Sequence, residues 1–249
     1  LDIFVAELVG TALLIILGDG VVANVVLART KGNDSGWIVI ATGWGLAVAL
    51  AVYCVGRISG AHINPAVSAG LWAIGELEAA LLPTYIGAQM LGAFLGAVVV
   101  WLTYRPHWSA TADQAAKLGV FCTAPEIPGR RGANFTTEVV GTAVLVFGVL
   151  AIAANASELS GGGIDLSAVF ATGINPLLVG FLVWGIGLGL GGPTGYAINP
   201  ARDLGPRIAH AVLPIPGKGG SDWGYAWVPI LGPLTGGVLG ALAFQGLGW

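Results

Sequence analysis

Two asparagine–proline steps carry the most specific chemistry in this sequence. Asn64-Pro65-Ala66 ends the stretch GRISGAHINPA, and Asn199-Pro200-Ala201 lies in GGPTGYAINPARD, with Arg202 and Asp203 directly after it. Proline has no N–H and a fixed φ, which suits the first position of a helix. An asparagine one residue earlier suits the N-cap, where its side-chain oxygen accepts from an otherwise unpaired helix N–H. Each Asn amide NH2 is then free to point away from its helix as a fixed donor. The chemistry on offer is recognition rather than bond making: two amide donors, a guanidinium, and the positive ends of two helices. A single Asn-Pro step reads equally well as an ordinary turn. Two copies in matching contexts do not.

The elements that position these steps are apolar. The 249 residues are 55% hydrophobic and only 9% charged, with mean hydropathy +0.83, whereas a soluble domain carries roughly 25% charged residues. Such a chain cannot cover itself with a solvated surface. Its net charge of −3 and ten scattered basic residues leave no footprint for nucleic acid. Six apolar stretches, Ile3–Leu27, Trp37–Val55, Ala79–Tyr104, Ala133–Ala154, Ala168–Leu190 and Ala226–Leu247, are each close to the ~20 residues that span a bilayer. Pro65–Ile74 and Pro200–Leu213 are too short to span and fit re-entrant half-helices. The sequence begins at Leu1 without an initiator methionine and is read as trimmed. No cleavable signal pattern is present, because the first apolar run belongs to a repeat.

That repeat is legible in the spacing. Glu7-x-x-Gly10-Thr11 recurs as Glu138-x-x-Gly141-Thr142 (138 − 7 = 131), and Asn64-Pro-Ala recurs as Asn199-Pro-Ala (199 − 64 = 135). The expected fold is an all-α membrane protein with six transmembrane helices and two re-entrant half-helices. It forms one domain over residues 1–249, with repeats of about 1–104 and 133–249 joined by a loop, 105–132. Three spans per copy is an odd number, so the second copy inserts upside down, and the half-helix N-termini meet at mid-membrane from opposite sides. Gly92/Gly96 and Gly236/Gly240 are spaced four apart for close helix packing. By the positive-inside rule the side bearing Arg29, Lys31, Arg105, Lys117, Arg130 and Arg131 would be cytoplasmic, the other side having Arg57 and little else. Charged tails beyond the sequence could reverse the count, so charge alone leaves the orientation open.

The remaining polar residues divide into structural and functional readings. Glu7 and Glu138 could relay protons, as carboxylates in pumps do, or could accept backbone N–H bonds from the irregular loops of their own halves. Their symmetric placement favours the second use. Asp203 is read as pairing with Arg207 or as facing its half-helix N-terminus. Asp19 lies near the end of the first span and about 120° round the helix from Glu7. It is therefore expected at a wetted or inter-subunit position rather than along a pore. His62 has no partner at ligand spacing and is assigned a structural hydrogen bond, while His107 and His210 are placed at the interface or in solvent. No metal site or cofactor is expected. Cys54 and Cys122 make neither a metal spacing nor a disulfide. Gly161-Gly162-Gly163 lacks the Lys-Ser/Thr of a P-loop and reads as linker. Ser59 has no partner that spacing suggests, and no nucleophile–base pair is visible, so an enzyme is not expected.

The paired Asn-Pro-Ala steps, the paired Glu-x-x-Gly-Thr helices and the string Ser-Gly-Ala-His-Ile-Asn-Pro-Ala resemble the aquaporin (major intrinsic protein) family over essentially the whole chain. Asp203 directly after Arg202, Arg207, and Pro229-Ile230 in the last span resemble its glycerol-facilitator (aquaglyceroporin) branch. The resemblance implies a passive channel in the cell membrane for glycerol and similar small uncharged solutes, with water, and a homotetramer in the lipid bilayer with one pore per subunit. It implies a selectivity filter at Trp44, Gly187, Tyr196 and Arg202, and accepting carbonyls at Gly60, Ala61, His62, Gly195, Tyr196 and Ala197. Ions fail in such a pore because nothing replaces their hydration shell, and Arg202 with the two helix ends repels protons. Aquaporins are a standard example of that argument. Tyr196 departs from the usual phenylalanine of this branch, and Asp19 from a small or apolar residue. The alternatives are a pore mainly for water, or one for protonated small hydroxy acids, dihydroxyacetone or urea. A secondary transporter also uses inverted repeats with broken helices, but would show coupling carboxylates not otherwise occupied.

Overall fold

The computed structural model describes residues 2–156, 160–161 and 164–248. Among the described residues, six spans are long and apolar enough to cross a membrane. Four are α1 (Asp2–Val26), α2 (Trp37–Ser59), α4 (Leu82–Thr103) and α7 (Arg131–Ala154). The fifth, Ser167–Leu190, consists of α8 (Ser167–Val169), a π-helical turn at Phe170–Ile174 and α9 (Asn175–Leu190), and the sixth is α11 (Trp227–Leu247). The half-helices are α3 (Pro65–Ala73) and α10 (Pro200–Val212). Large side chains such as Leu46, Leu50, Leu102 and Leu239 stay exposed on the outside, as a lipid-facing surface requires.

Boundaries shift where local chemistry dictates. The second span runs on to Ser59 and stops at Gly60, whose left-handed φ of 81° caps it. The third starts at Leu82, because Pro83 suits a first turn. The segment 105–132, expected as loop, carries two short helices, α5 (Arg105–Ala110) and α6 (Gln114–Phe121). The side chain of Asp113 caps α6 by accepting from Ala115 N and Ala116 N. A two-residue ladder pairs β1 (Ser160–Gly161) with β2 (Ile164–Asp165). Of the glycine run read as linker, Gly162 and Gly163 lie outside the described residues.

The repeat is visible in the packing. α1 lies against α4 and α7 against α11, while α2 against α9 joins the halves. The predicted small-residue spacing is what allows these approaches. A Cβ on Gly92 would stand 2.3 Å from Leu8 O, and one on Gly236 would stand 2.3 Å from Val139 O. Each half-helix packs on the last span of the other half, α3 on α11 and α10 on α4. This exchange holds the two Asn-Pro steps at one point inside the bundle.

Candidate functional site

The two caps form as their residue types dictate, then lock to each other. Asn64 Oδ1 accepts from Ala66 N at 2.8 Å, and Asn199 Oδ1 accepts from Ala201 N at 3.0 Å and Arg202 N at 3.2 Å. The amide groups are not wholly free, as they were expected to be. Asn64 Nδ2 donates to Ile198 O and Asn199 Nδ2 to Ile63 O, both at 2.8 Å. Each NH2 has two hydrogens, so one is committed across the seam and one remains to offer.

The loops before the caps are strained in the same way. Gly60, Ala61 and Ile63 have φ of 81°, 49° and 43°, and Gly195, Tyr196 and Ile198 have 79°, 38° and 43°. A left-handed non-glycine residue costs about 1–3 kcal/mol and persists only when its surroundings enforce it. The enforcement comes from Glu7 and Glu138. Glu7 accepts from His62 N at 3.0 Å, Ile63 N at 2.7 Å, Ser59 Oγ at 2.6 Å and Gln89 Nε2 at 2.8 Å. Glu138 accepts from Ala197 N at 3.0 Å, Ile198 N at 2.8 Å and Thr194 Oγ1 at 2.6 Å. Both carboxylates are fully buried and occupied by these bonds, which is the geometry of a buttress. His62 makes the structural contact assigned to it, with Nδ1 3.0 Å from Ser68 Oγ and its ring stacked on Tyr85.

A cavity of about 320 Å³ runs past this seam. One wall is apolar, including Leu14, Val48, Val52, Val149 and Val183. The other carries the loops: Gly60, Ala61, His62, Asn64, Tyr196, Ala197 and Asn199. Trp44 and Arg202 are also on the wall, with the guanidinium carbon 4.1 Å over the indole, a cation–π arrangement. Gly187 and Gly195 lie behind this wall rather than on it. A Cβ on Gly187 would meet Tyr196 Cζ at 2.8 Å, so the tyrosine ring fills the space that a side chain there would take. Gly195 backs onto Thr123. The Tyr196 hydroxyl is buried without a hydrogen-bond partner.

Several polar residues sit differently from expectation. Asp19 is 0% exposed, and its Oδ1 lies 3.4 Å from Arg202 Nη1. It is neither wetted nor at the periphery, as its azimuth relative to Glu7 suggested. Azimuth misled because the neighbours of α1 change along its length. Twelve residues rise about 18 Å, far enough to reach the first turn of α10. His210 is buried, with Nδ1 2.9 Å from Ser221 Oγ, and His107 Nδ1 is 3.0 Å from Ala28 O. Lys117, counted among the basic charges of one side, is 3% exposed and donates to Pro216 O. Asp203 does pair with Arg207, at 2.8 Å, and it also accepts from Thr123 N and Thr123 Oγ1, both at 2.8 Å.

Sequence reasoning missed four supports. Ser59, thought partnerless, serves Glu7 and also accepts from Ala61 N. Its signal was in the repeat, because Ser59 and Thr194 each stand five residues before their Asn. Gln89 and Thr123 left no such trace: each reaches its carboxylate across about 80 residues of chain.

A family model described as "Major intrinsic protein" matches residues 1–244 of the chain. The chain is 62% identical over 247 residues to a probable glycerol uptake facilitator protein of Thermotoga maritima, covering 99% of this chain and 100% of that one. It is 56% identical over 242 residues to the glycerol uptake facilitator protein of Bacillus subtilis, covering 97% and 83%. The X-ray structure of the aquaglyceroporin from Plasmodium falciparum superposes with a TM-score of 0.82 at 31% identity, covering 98% of this chain and 95% of that one.

Proposed function

The chain belongs to the major intrinsic protein family, and from that premise we propose that it is a passive channel for glycerol and other small uncharged solutes, with water. The observation that carries the reading is the two-sided cavity. Its apolar wall can take the C–H side of a polyol. The opposite wall offers Arg202 as donor and the strained loops as acceptors, so hydroxyls leaving water are compensated; uncompensated, each would cost several kcal/mol. Trp44, Tyr196 and Arg202, with Gly187 making room for the tyrosine, are proposed as the selectivity filter. The carbonyls of Gly60, Ala61, His62, Tyr196 and Ala197, all residues of the cavity wall, are proposed as the acceptors along the path, with Gly195 set behind them. Glu7 and Glu138 have their oxygens taken up by the loops, which supports a channel over a proton-coupled transporter. Residues 1–249 are proposed to act as one channel unit, and the assembly as a homotetramer with one pore per subunit.

The unpartnered Tyr196 hydroxyl favours one second reading, in which the pore also takes protonated small hydroxy acids. The test is stopped-flow light scattering on proteoliposomes, with glycerol and then sorbitol as osmolyte at matched protein density. Rapid re-swelling in glycerol and none in sorbitol is expected. Water flow without glycerol re-swelling refutes the facilitator and leaves a water pore.

A further inference from the structure

Among the described residues, Asp19 stands out because every other buried carboxylate near the cavity is already committed. Glu7 and Glu138 hold the loops, and Asp203 is taken by Arg207 and Thr123. Among the described residues Asp19 alone makes an ion pair with Arg202, at 3.4 Å, and its second oxygen is buried with no partner. The flanking Gly18 lets the chain come this close. A Cβ there would stand 2.3 Å from the Trp44 ring, which in turn stacks on Arg202. The guanidinium is thus gripped between an indole face and a carboxylate.

The repeat supplies an internal comparison. The counterpart of Asp19 is Leu150 (150 − 19 = 131), and that of Arg202 is Val67 (202 − 67 = 135), at the offsets of the Glu and Asn pairs. Leu150 and Val67 share one apolar cluster with Val146. The scaffold therefore accepts an apolar pair at these two places. Where one member is an arginine, the other is an acid.

We propose that Asp19 is a positioning and charge-balancing residue of the filter. It holds Nη1 so that the remaining guanidinium N–H groups face the solute. It also offsets the Arg202 charge so that small anions find no firm seat there. An uncompensated guanidinium in a low-dielectric slot is a strong anion site. A paired one still donates hydrogen bonds to neutral hydroxyls. This inference rests on the facilitator reading above.

The test uses the whole chain in proteoliposomes, reading glycerol re-swelling with sodium nitrate or sodium gluconate at equal concentration on both sides. Wild type is expected to pass glycerol equally in both salts. Asp19→Asn is expected to slow glycerol about 3- to 10-fold, the range of a modest pair coupling, and to slow further in nitrate. Asp19→Glu should recover part of the loss. In an Arg202→Val background the Asp19→Asn change should have no effect on flux or nitrate response. Unchanged flux in Asp19→Asn overturns the proposal, as does slower flux without nitrate sensitivity, which marks a merely structural residue. Effects that persist without Arg202 overturn it as well. If Asp19→Asn does not assemble, the double variant Asp19→Leu/Arg202→Val must, because it copies the repeat-related apolar pair Leu150 and Val67; its failure overturns the proposal. Wild-type vesicles that do not re-swell in glycerol refute the facilitator reading instead.

Discussion

The tightest test of the filter geometry is Gly187→Ala. A Cβ at this position would stand 2.8 Å from Tyr196 Cζ, 2.9 Å from its hydroxyl oxygen and 3.1 Å from Cε2. Carbon atoms in good contact sit about 3.5–4.0 Å apart, so the ring must retreat by roughly 0.7 Å or more. Behind it stands Trp37, edge-on at 5.7 Å between centroids, with its own Nε1 tied to Gly187 O at 3.0 Å. The free direction is into the cavity that Tyr196 lines. Overpacking of this kind costs about 1–3 kcal/mol. If that cost is felt when solute occupies the slot, glycerol flux falls about 5- to 150-fold, at 1.4 kcal/mol per tenfold. Water is smaller and is expected to lose much less, so the glycerol-to-water ratio drops. The assay is stopped-flow light scattering on matched proteoliposomes. The second variant Gly187→Ala/Tyr196→Ala should restore glycerol flux by removing the obstructing ring. Gly187→Ala with wild-type flux and ratio would refute the idea that the Gly187–Tyr196 contact sets the width.

Three further outcomes follow from the buried polar groups. Glu138→Gln replaces an accepting oxygen with an NH2 facing the Ala197 or Ile198 N–H or the Thr194 hydroxyl; at about 1–3 kcal/mol per unsatisfied buried group, thermal unfolding in detergent should begin at lower temperature and flux per channel should fall. Arg207→Lys keeps the charge but loses the fork that meets Asp203, Thr123 O, Ser221 O and Asp222 O; partial loss of a buried pair should destabilise by about 3 kcal/mol, read as a lower thermal midpoint. Burial beside Asp203 pushes the Cys122 thiol well above its ordinary range, so the reactive thiolate is absent at neutral pH and appears only as pH rises. Maleimide at pH 7 should therefore label Cys122 only after unfolding, as mass spectrometry of the peptides would show.

Much of this fold could be read from spacing because the chain states its plan twice. Apolar run lengths gave the six spans, and Asn-Pro steps gave the half-helix starts at Pro65 and Pro200. Glu7 and Glu138 were read as loop supports from their symmetric placement and from the demand of irregular backbone for partners, and each accepts backbone N–H bonds from the loop of its own half. What escaped were contacts between residues distant in sequence and unrelated by the repeat. Thr123 could not be found because a lone threonine in a segment taken for loop carries no pattern. Asp19 was misplaced because helix azimuth fixes direction but not which neighbour is met at that depth. The reciprocal Asn-to-carbonyl bonds were missed for a related reason. A cap is a local device, and its spare donor is spent on a partner more than 130 residues away.

The places where the two halves agree and disagree separate architecture from selectivity. They agree at the carboxylates, the capping asparagines, the left-handed Ile63 and Ile198, and the glycines that admit neighbouring helices. The carboxylates and asparagines satisfy buried backbone, which any non-helical chain at membrane depth requires, and the glycines let the helices close around it. The halves disagree at His62 against Ala197 and Ser68 against Asp203, and also at Ala61 against Tyr196, Val67 against Arg202 and Leu150 against Asp19. The last three bring Tyr196 and Arg202 to the cavity wall and Asp19 within 3.4 Å of the guanidinium. A pore built with perfect symmetry would be equally wide and equally apolar above and below its seam, and would sort solutes poorly. Removing the asymmetry, with Tyr196→Ala and Arg202→Val copying the first half and Asp19→Leu copying the second, should therefore leave folding nearly intact while opening the slot. A longer polyol such as sorbitol, excluded by the wild type, should begin to enter, so that the ratio of sorbitol to glycerol flux rises. If the triple variant folds and still excludes sorbitol as the wild type does, discrimination does not reside in that asymmetry, and the narrowest point must be sought at the asparagine seam.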